Sequence, residues 1–153
     1  MSEETKPTIQ QHRRLAIDLF NHVWTLLDKP DRTREENDDM IHAAHASRHH
    51  WSIVGAAVNL ARGEWQVSRV YSVLKMPEPA LYHARRCLDI CLESHIGDFD
   101  LAFGYEALAR ASAIAGKTSD VEKYIALAKQ AGENITEQDD KELLFSDLKS
   151  IPG

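Results

Sequence analysis

The sequence is poor in the residues that interrupt helices. Its 153 residues contain seven glycines and five prolines, and alternating β-branched side chains are nearly absent. These absences exclude a sheet-based fold and leave an all-α one. Cysteine is scarce too. Cys87 and Cys91 lie four apart within a helical pattern, where near-parallel side chains suit a disulfide poorly, so a reduced, cytoplasmic setting is expected. No apolar run approaches the ~18 residues needed to cross a bilayer. The start, Met1-Ser2-Glu3-Glu4, lacks the basic residues and apolar centre of a signal peptide, so no membrane partner is expected. An excess of basic charge is also missing: 18 lysines and arginines face 24 acids, a net charge of −6. The basic doublets Arg13-Arg14 and Arg85-Arg86 each fall in a helix beside acidic residues, which argues against nucleic acid as a partner. There is no HExxH, phosphate-binding glycine loop, dinucleotide fingerprint or ordered Ser–His–Asp set, so no catalytic residue is assigned.

What is present reads as seven helices. The first runs from about Thr8 to Asp28, with Ile9, Ala16, Leu19, Phe20, Val23 and Leu27 on one face, and Lys29-Pro30 ends it. Thr33 and Glu36 form a capping box for the second, which continues to Val54 before Gly55. A third ends near Lys75, and a fourth, opened by Pro79, reaches Glu93. Asp98 caps the fifth, which stops at Gly116, and Ser119 with Glu122 caps the sixth, ending at Gly132. Thr136 opens a last helix whose Leu143, Leu144 and Leu148 are expected to cover the end of the stack. The fifth helix is apolar almost all round, the mark of a central element. No linker divides the chain. One domain is expected over residues 1–153, with a helix pair at 8–54, a repeat-like core at 58–132 and a cap at 136–151.

The core carries an internal echo. Tyr105, Leu108, Ala109, Gly116, Val121, Ile125 and Ala128 form one copy, and Val67, Ser68, Tyr71, Ala80, Ala84 and Cys87 form another, 41 positions earlier. Such self-similarity signals helical hairpins stacked in an array, because one hairpin cannot bury its own apolar face. From residue 61 to 131 the pattern resembles the tetratricopeptide repeat, although Glu64 stands at the aromatic position and Lys75 at the turn glycine. The resemblance implies antiparallel hairpins stacked as a right-handed superhelix, with the N-terminal pair before it and the capping helix after it. It also implies a concave groove, lined by the first helix of each hairpin, that binds a protein or peptide. Carried onto this chain, Arg62, Trp65 and Arg69 face the groove in one copy, and Phe103, Glu106 and Arg110 in the next. Arg69 and Arg110 are equivalent positions, and arginine's planar fork suits an acidic ligand. Read without the groove, Glu106 and Arg110 are an exposed i,i+4 pair, and Trp65 is a packing residue.

The alternative function rests on histidine. Asp38, His42, His45 and His49 fall within an arc of roughly 60° on the second helix, opposite Met40, Ala44, Ser47 and Trp51. His45 and His49 have the spacing that chelates zinc or a related divalent metal, with Asp38 or His42 as further ligands. Other readings place the same imidazoles in solvent, at an interface such as that of a homodimer, or as the polar lining of a groove. A stripe of His83, Cys87, Cys91 and His95 is too long for one metal, and its cysteines read as buried packing residues.

Overall fold

The computed structural model describes residues 5–152, which form seven helices and no strand. These are α1 (Ile9–Leu27), α2 (Arg34–Val54), α3 (Ala57–Val73), α4 (Pro77–Glu93), α5 (Asp98–Ile114), α6 (Thr118–Gly132) and α7 (Gln138–Lys149). Two begin with reciprocal caps. Thr8 Oγ1 accepts from the Gln11 amide while Gln11 Oε1 accepts from the Thr8 amide, and Thr33 and Glu36 repeat the arrangement on α2. Pro77 and Pro79 lie in the first turn of α4, where their missing N–H groups leave no intrahelical bond unmade.

Other expected caps do not form. α6 starts at Thr118, so Ser119 is already inside the helix and makes no capping box with Glu122. Asp98 does not cap α5 in the ordinary manner; Gly97 is the N-cap and Asp98 itself has φ 53°. Its Oδ1 accepts from the Phe99 amide, and its Oδ2 accepts from both the amide and the hydroxyl of Thr136. Thr136 thus ties the lead into α7 to the start of α5 instead of opening its own helix.

Packing follows chain order. α1 lies against α2, α3 against α4, and α5 against α6; α2–α3, α4–α5 and α6–α7 contacts then join one hairpin to the next. The odd-numbered helices also pack in sequence, α1 to α3, α3 to α5 and α5 to α7, whereas among the described residues the even-numbered ones meet through side chains alone, His45 with His83 and Arg85 with Tyr124. The odd-numbered helices therefore form a common inner layer. α5 has neighbours on every side, which is why Ala102, Ala107, Ala109 and Ala111 are all buried on it. Close approach is visible at Gly104, where an added Cβ would lie 3.5 Å from the Leu88 backbone of α4. α7 closes the far side through Leu144 and Leu148, both buried, but Leu143 is 49% exposed and faces the inner layer's cavity.

Two turns reveal the repeat in the backbone. Gly116 has φ 74° and Lys75, 41 positions earlier, has φ 61°. Both hairpins turn through a left-handed residue, although only one uses the residue type that adopts it without strain.

No helix among the described residues is long and apolar enough to cross a membrane.

Candidate functional site

The odd-numbered helices, joined by Cys87 of α4, line an open cavity of about 610 Å³. Its floor is aromatic: Phe20 and Trp24 come from α1, Trp65 from α3, and Phe99 and Phe103 from α5. The rings form a continuous chain. Centroid separations are 6.4 Å for Phe20–Trp24, 5.5 Å for Trp24–Trp65, 5.8 Å for Trp65–Phe103 and 4.5 Å for Phe103–Phe99, within the range of edge and offset aromatic contacts. The rim is charged. Asp28 closes α1, Asp100 stands on α5, Asp140 and Asp147 on α7, and Arg62 and Arg69 on α3. Arg62 is paired through two bonds with Asp100, Nε–Oδ1 at 2.8 Å and Nη2–Oδ2 at 3.1 Å. That pairing raises the already high pKa of the guanidinium, against a smaller opposing effect of burial.

Below the floor lies a fully buried carboxylate. Glu106 has 0% exposure and accepts from Arg110 Nε at 2.8 Å, Arg69 Nη2 at 3.1 Å and Trp65 Nε1 at 3.2 Å. Arg69 donates again to Asp147 Oδ2, and Arg110 donates to the Asp147 carbonyl and the Ser150 hydroxyl. The Arg69 guanidinium also lies 4.9 Å from the centroid of Trp65. One network therefore fixes Trp65 and links α3, α5 and α7 with each polar group partnered, the condition for burying charge without a large penalty.

Of the six residues expected at the groove, Arg62, Trp65, Arg69 and Phe103 line it. Glu106 and Arg110 do not. They form the expected i,i+4 pair, but α7 covers it, so the pair is buried where an exposed one was anticipated. The guanidinium groups of Arg62, Arg69 and Arg110 are all bound to carboxylates of the chain itself. An acidic ligand would meet paired arginines and four aspartates.

The histidine face of α2 is divided in the same way. Asp38, His42 and His49 are exposed, whereas His45 is half-buried under α3 and α4. Its Nε2 shares a 2.8 Å hydrogen bond with the Tyr71 hydroxyl, and its ring lies 5.3 Å from that of His83. His83 Nδ1–H donates to Glu64 Oε2 at 2.6 Å, and Arg48 Nε donates to the other oxygen. Burial lowers the His45 pKa, and nearby His83 and His42 reinforce the shift against the opposing pull of Glu64. Burial pushes the Glu64 carboxyl up, but the hydrogen bond and charge of His83, with Arg48 and Arg86, outweigh it and hold the group below its ordinary value. No group of three or more His, Cys, Asp or Glu is placed to hold a metal among the described residues. The expected set Asp38, His42, His45 and His49 is not assembled, because α2 lies between α1 and α3 and the covered part of its polar face turns inward.

Cys87 and Cys91 are free and buried. A mutual hydrogen bond raises the Cys87 thiol well above its ordinary pKa, an effect that burial strengthens; the same bond lowers Cys91.

The sequence reading missed Phe20, Trp24, Phe99 and the aspartates of the rim. The signal for Trp24 was available. Trp24, Trp65, Glu106 and Asp147 stand 41 residues apart in turn, as do Leu26, Val67 and Leu108, which are all buried. The period thus extends back into α1 and forward into α7. Residues one period apart become spatial neighbours: Trp24 meets Trp65, Trp65 donates to Glu106, and Arg69 bridges Glu106 to Asp147.

No family model, curated protein or solved structure matches this chain.

Proposed function

We propose that the chain is a tetratricopeptide-type stack of helical hairpins that binds a peptide or helical segment of a partner protein in the groove formed by α1, α3, α5 and α7. The observation that carries this reading is the aromatic floor of the ~610 Å³ cavity, built solely from inner-layer helices. Aromatic rings present a large apolar area with little conformational freedom to lose, which makes them effective anchors for a docked side chain. The Glu106 network below favours recognition by a pre-formed surface, since Trp65 is held from beneath by its own N–H bond. Buried charges also make specific demands on how the hairpins align, so a ligand would meet one fixed groove shape.

The test is retention of the purified chain by a bead-bound library of random short peptides, with Leu143→Gln as the control. Leu143 lines the groove but is half exposed, so its replacement leaves the core intact. Retention by the parent chain, and its clear loss in Leu143→Gln at unchanged thermal stability, is expected. Equal retention of both overturns the assignment.

A further inference from the structure

The charge of the groove identifies what it accepts. The lining carries four aspartates and two arginines, so its net charge is −2. Asp100 is paired with Arg62, and Asp147 with Arg69. Neither Asp28 nor Asp140 forms an ion pair among the described residues, although Arg62 lies near enough to Asp140 to respond to its charge. Asp28 therefore keeps a free carboxylate, and Asp140 one offset only at a distance by Arg62, on the lining of an aromatic-floored cavity. The negative end of the α1 dipole adds to Asp28, which is the C-cap of that helix.

The repeat shows what such a site can hold. At Trp65 the residue four positions on is Arg69, whose guanidinium lies against the ring and is held by Glu106 and Asp147. One period earlier the corresponding pair is Trp24 and Asp28. There the internal cation is replaced by an acid, and the aromatic ring remains. α1 thus keeps the ring that Arg69 covers one unit later and puts a carboxylate, Asp28, where that cation stands. Cations on an aromatic face gain further from a desolvated setting and a nearby carboxylate.

Resting on the groove reading above, we infer that the occupant is a basic segment of a partner protein: a lysine or arginine side chain seated against Trp24 and Asp28, a large apolar side chain on Trp65 and Phe103, and a second basic residue meeting Asp140. The apolar contact supplies affinity and the carboxylates choose the sign of the ligand's charge. The surplus of negative charge also disfavours the acidic ligand that arginine alone would have suggested.

The experiment uses the same bead library with the full chain. Peptides retained are sequenced, and one is resynthesised with its lysines and arginines replaced by glutamate. Enrichment of net-positive peptides is expected, with binding lost on charge reversal. The double variant Asp28→Asn, Asp140→Asn should bind the parent peptide about fivefold to tenfold more weakly, the scale of two partly screened pairs. Enrichment of neutral or acidic peptides overturns the inference, as does a double variant that binds the parent peptide unchanged. If such peptides are retained by the parent chain and released by Leu143→Gln, the groove stands and its charge preference falls. If the parent chain retains no peptide, both readings fall.

Discussion

Replacing Glu106 by glutamine isolates the buried network from every other feature of the fold. The two side chains are nearly equal in size, so no cavity is created and the change is one of charge and hydrogen bonding. Glutamine's amide would bring two donors to a site already surrounded by the donors of Arg110, Arg69 and Trp65. Arg110 is 8% exposed and would lose the carboxylate 2.8 Å from its Nε, keeping only the Asp147 carbonyl and the Ser150 hydroxyl. Removing one member of a buried ion pair typically destabilises by about 3–5 kcal/mol, because the remaining charge is left desolvated. Asp147 lies within reach of Arg69 and offsets part of that loss, so about 3 kcal/mol is expected. With a urea m-value of about 2 kcal/mol per molar, the midpoint followed by helical circular dichroism should fall by about 1.5 M. Arg62→Ala is the internal comparison, since Arg62 is 52% exposed and its pair with Asp100 should be worth no more than about 1 kcal/mol. A Glu106→Gln midpoint within the range of the Arg62→Ala midpoint would refute the claim that this network holds the inner helices in register.

Three further outcomes follow from other parts of the fold. Lys75→Gly should raise stability by up to about 1 kcal/mol, and Gly116→Ala should lower it by about 1–2 kcal/mol, because both positions have positive φ; paired denaturation curves that move in the same direction would contradict this. Gly132→Ala should destabilise by about 1 kcal/mol despite alanine's better helix propensity, since its Cβ would lie 2.4 Å from Leu144 Cδ2 and 3.2 Å from Phe145 Cε2; thermal melting decides it. Acid should weaken the α2–α4 region in two stages. The lowered His45 pKa means stability is retained above its ordinary value of 6.5 and declines as pH falls below it, while Glu64, also lowered, adds a loss as pH falls below 4.5. In His45→Gln the first stage should shrink to the part contributed by His50, whose pKa burial also lowers, and the second should persist, as read from urea midpoints across that pH range.

The sequence carried most of the local information. Thr8 and Thr33 sit where a capping residue must sit, the prolines stand at the start of α4, and helical periodicity leaves few alternatives for α1 to α6. The all-round apolar character of α5 was also legible, because a helix with neighbours on all sides needs small side chains on all sides. Four of the groove residues could be named from the repeat, and a fifth, Trp24, was present at the same 41-residue interval one unit earlier. What could not be read was which polar residues are covered. Glu106 with Arg110 has the spacing of an ordinary exposed pair, and His45 has that of a metal ligand. Spacing within one helix says how side chains are arranged around its axis, but not what the next helix places over them. α7 buries the first pair, and α3 and α4 claim the histidine.

The division has one physical cause. Caps, turns and amphipathic faces depend on residues within a few positions of each other, so the sequence by itself determines the helices, their order and the period with which they recur. The charge state and accessibility of a groove depend on partners far along the chain. Arg69 is satisfied by Glu106 and by Asp147, which is 78 residues away, whereas among the described residues Asp28 forms no ion pair and Asp140 is influenced by Arg62 without pairing with it. Tertiary structure alone decides that the arginines hold the groove together and that two of its carboxylates stay outside any ion pair.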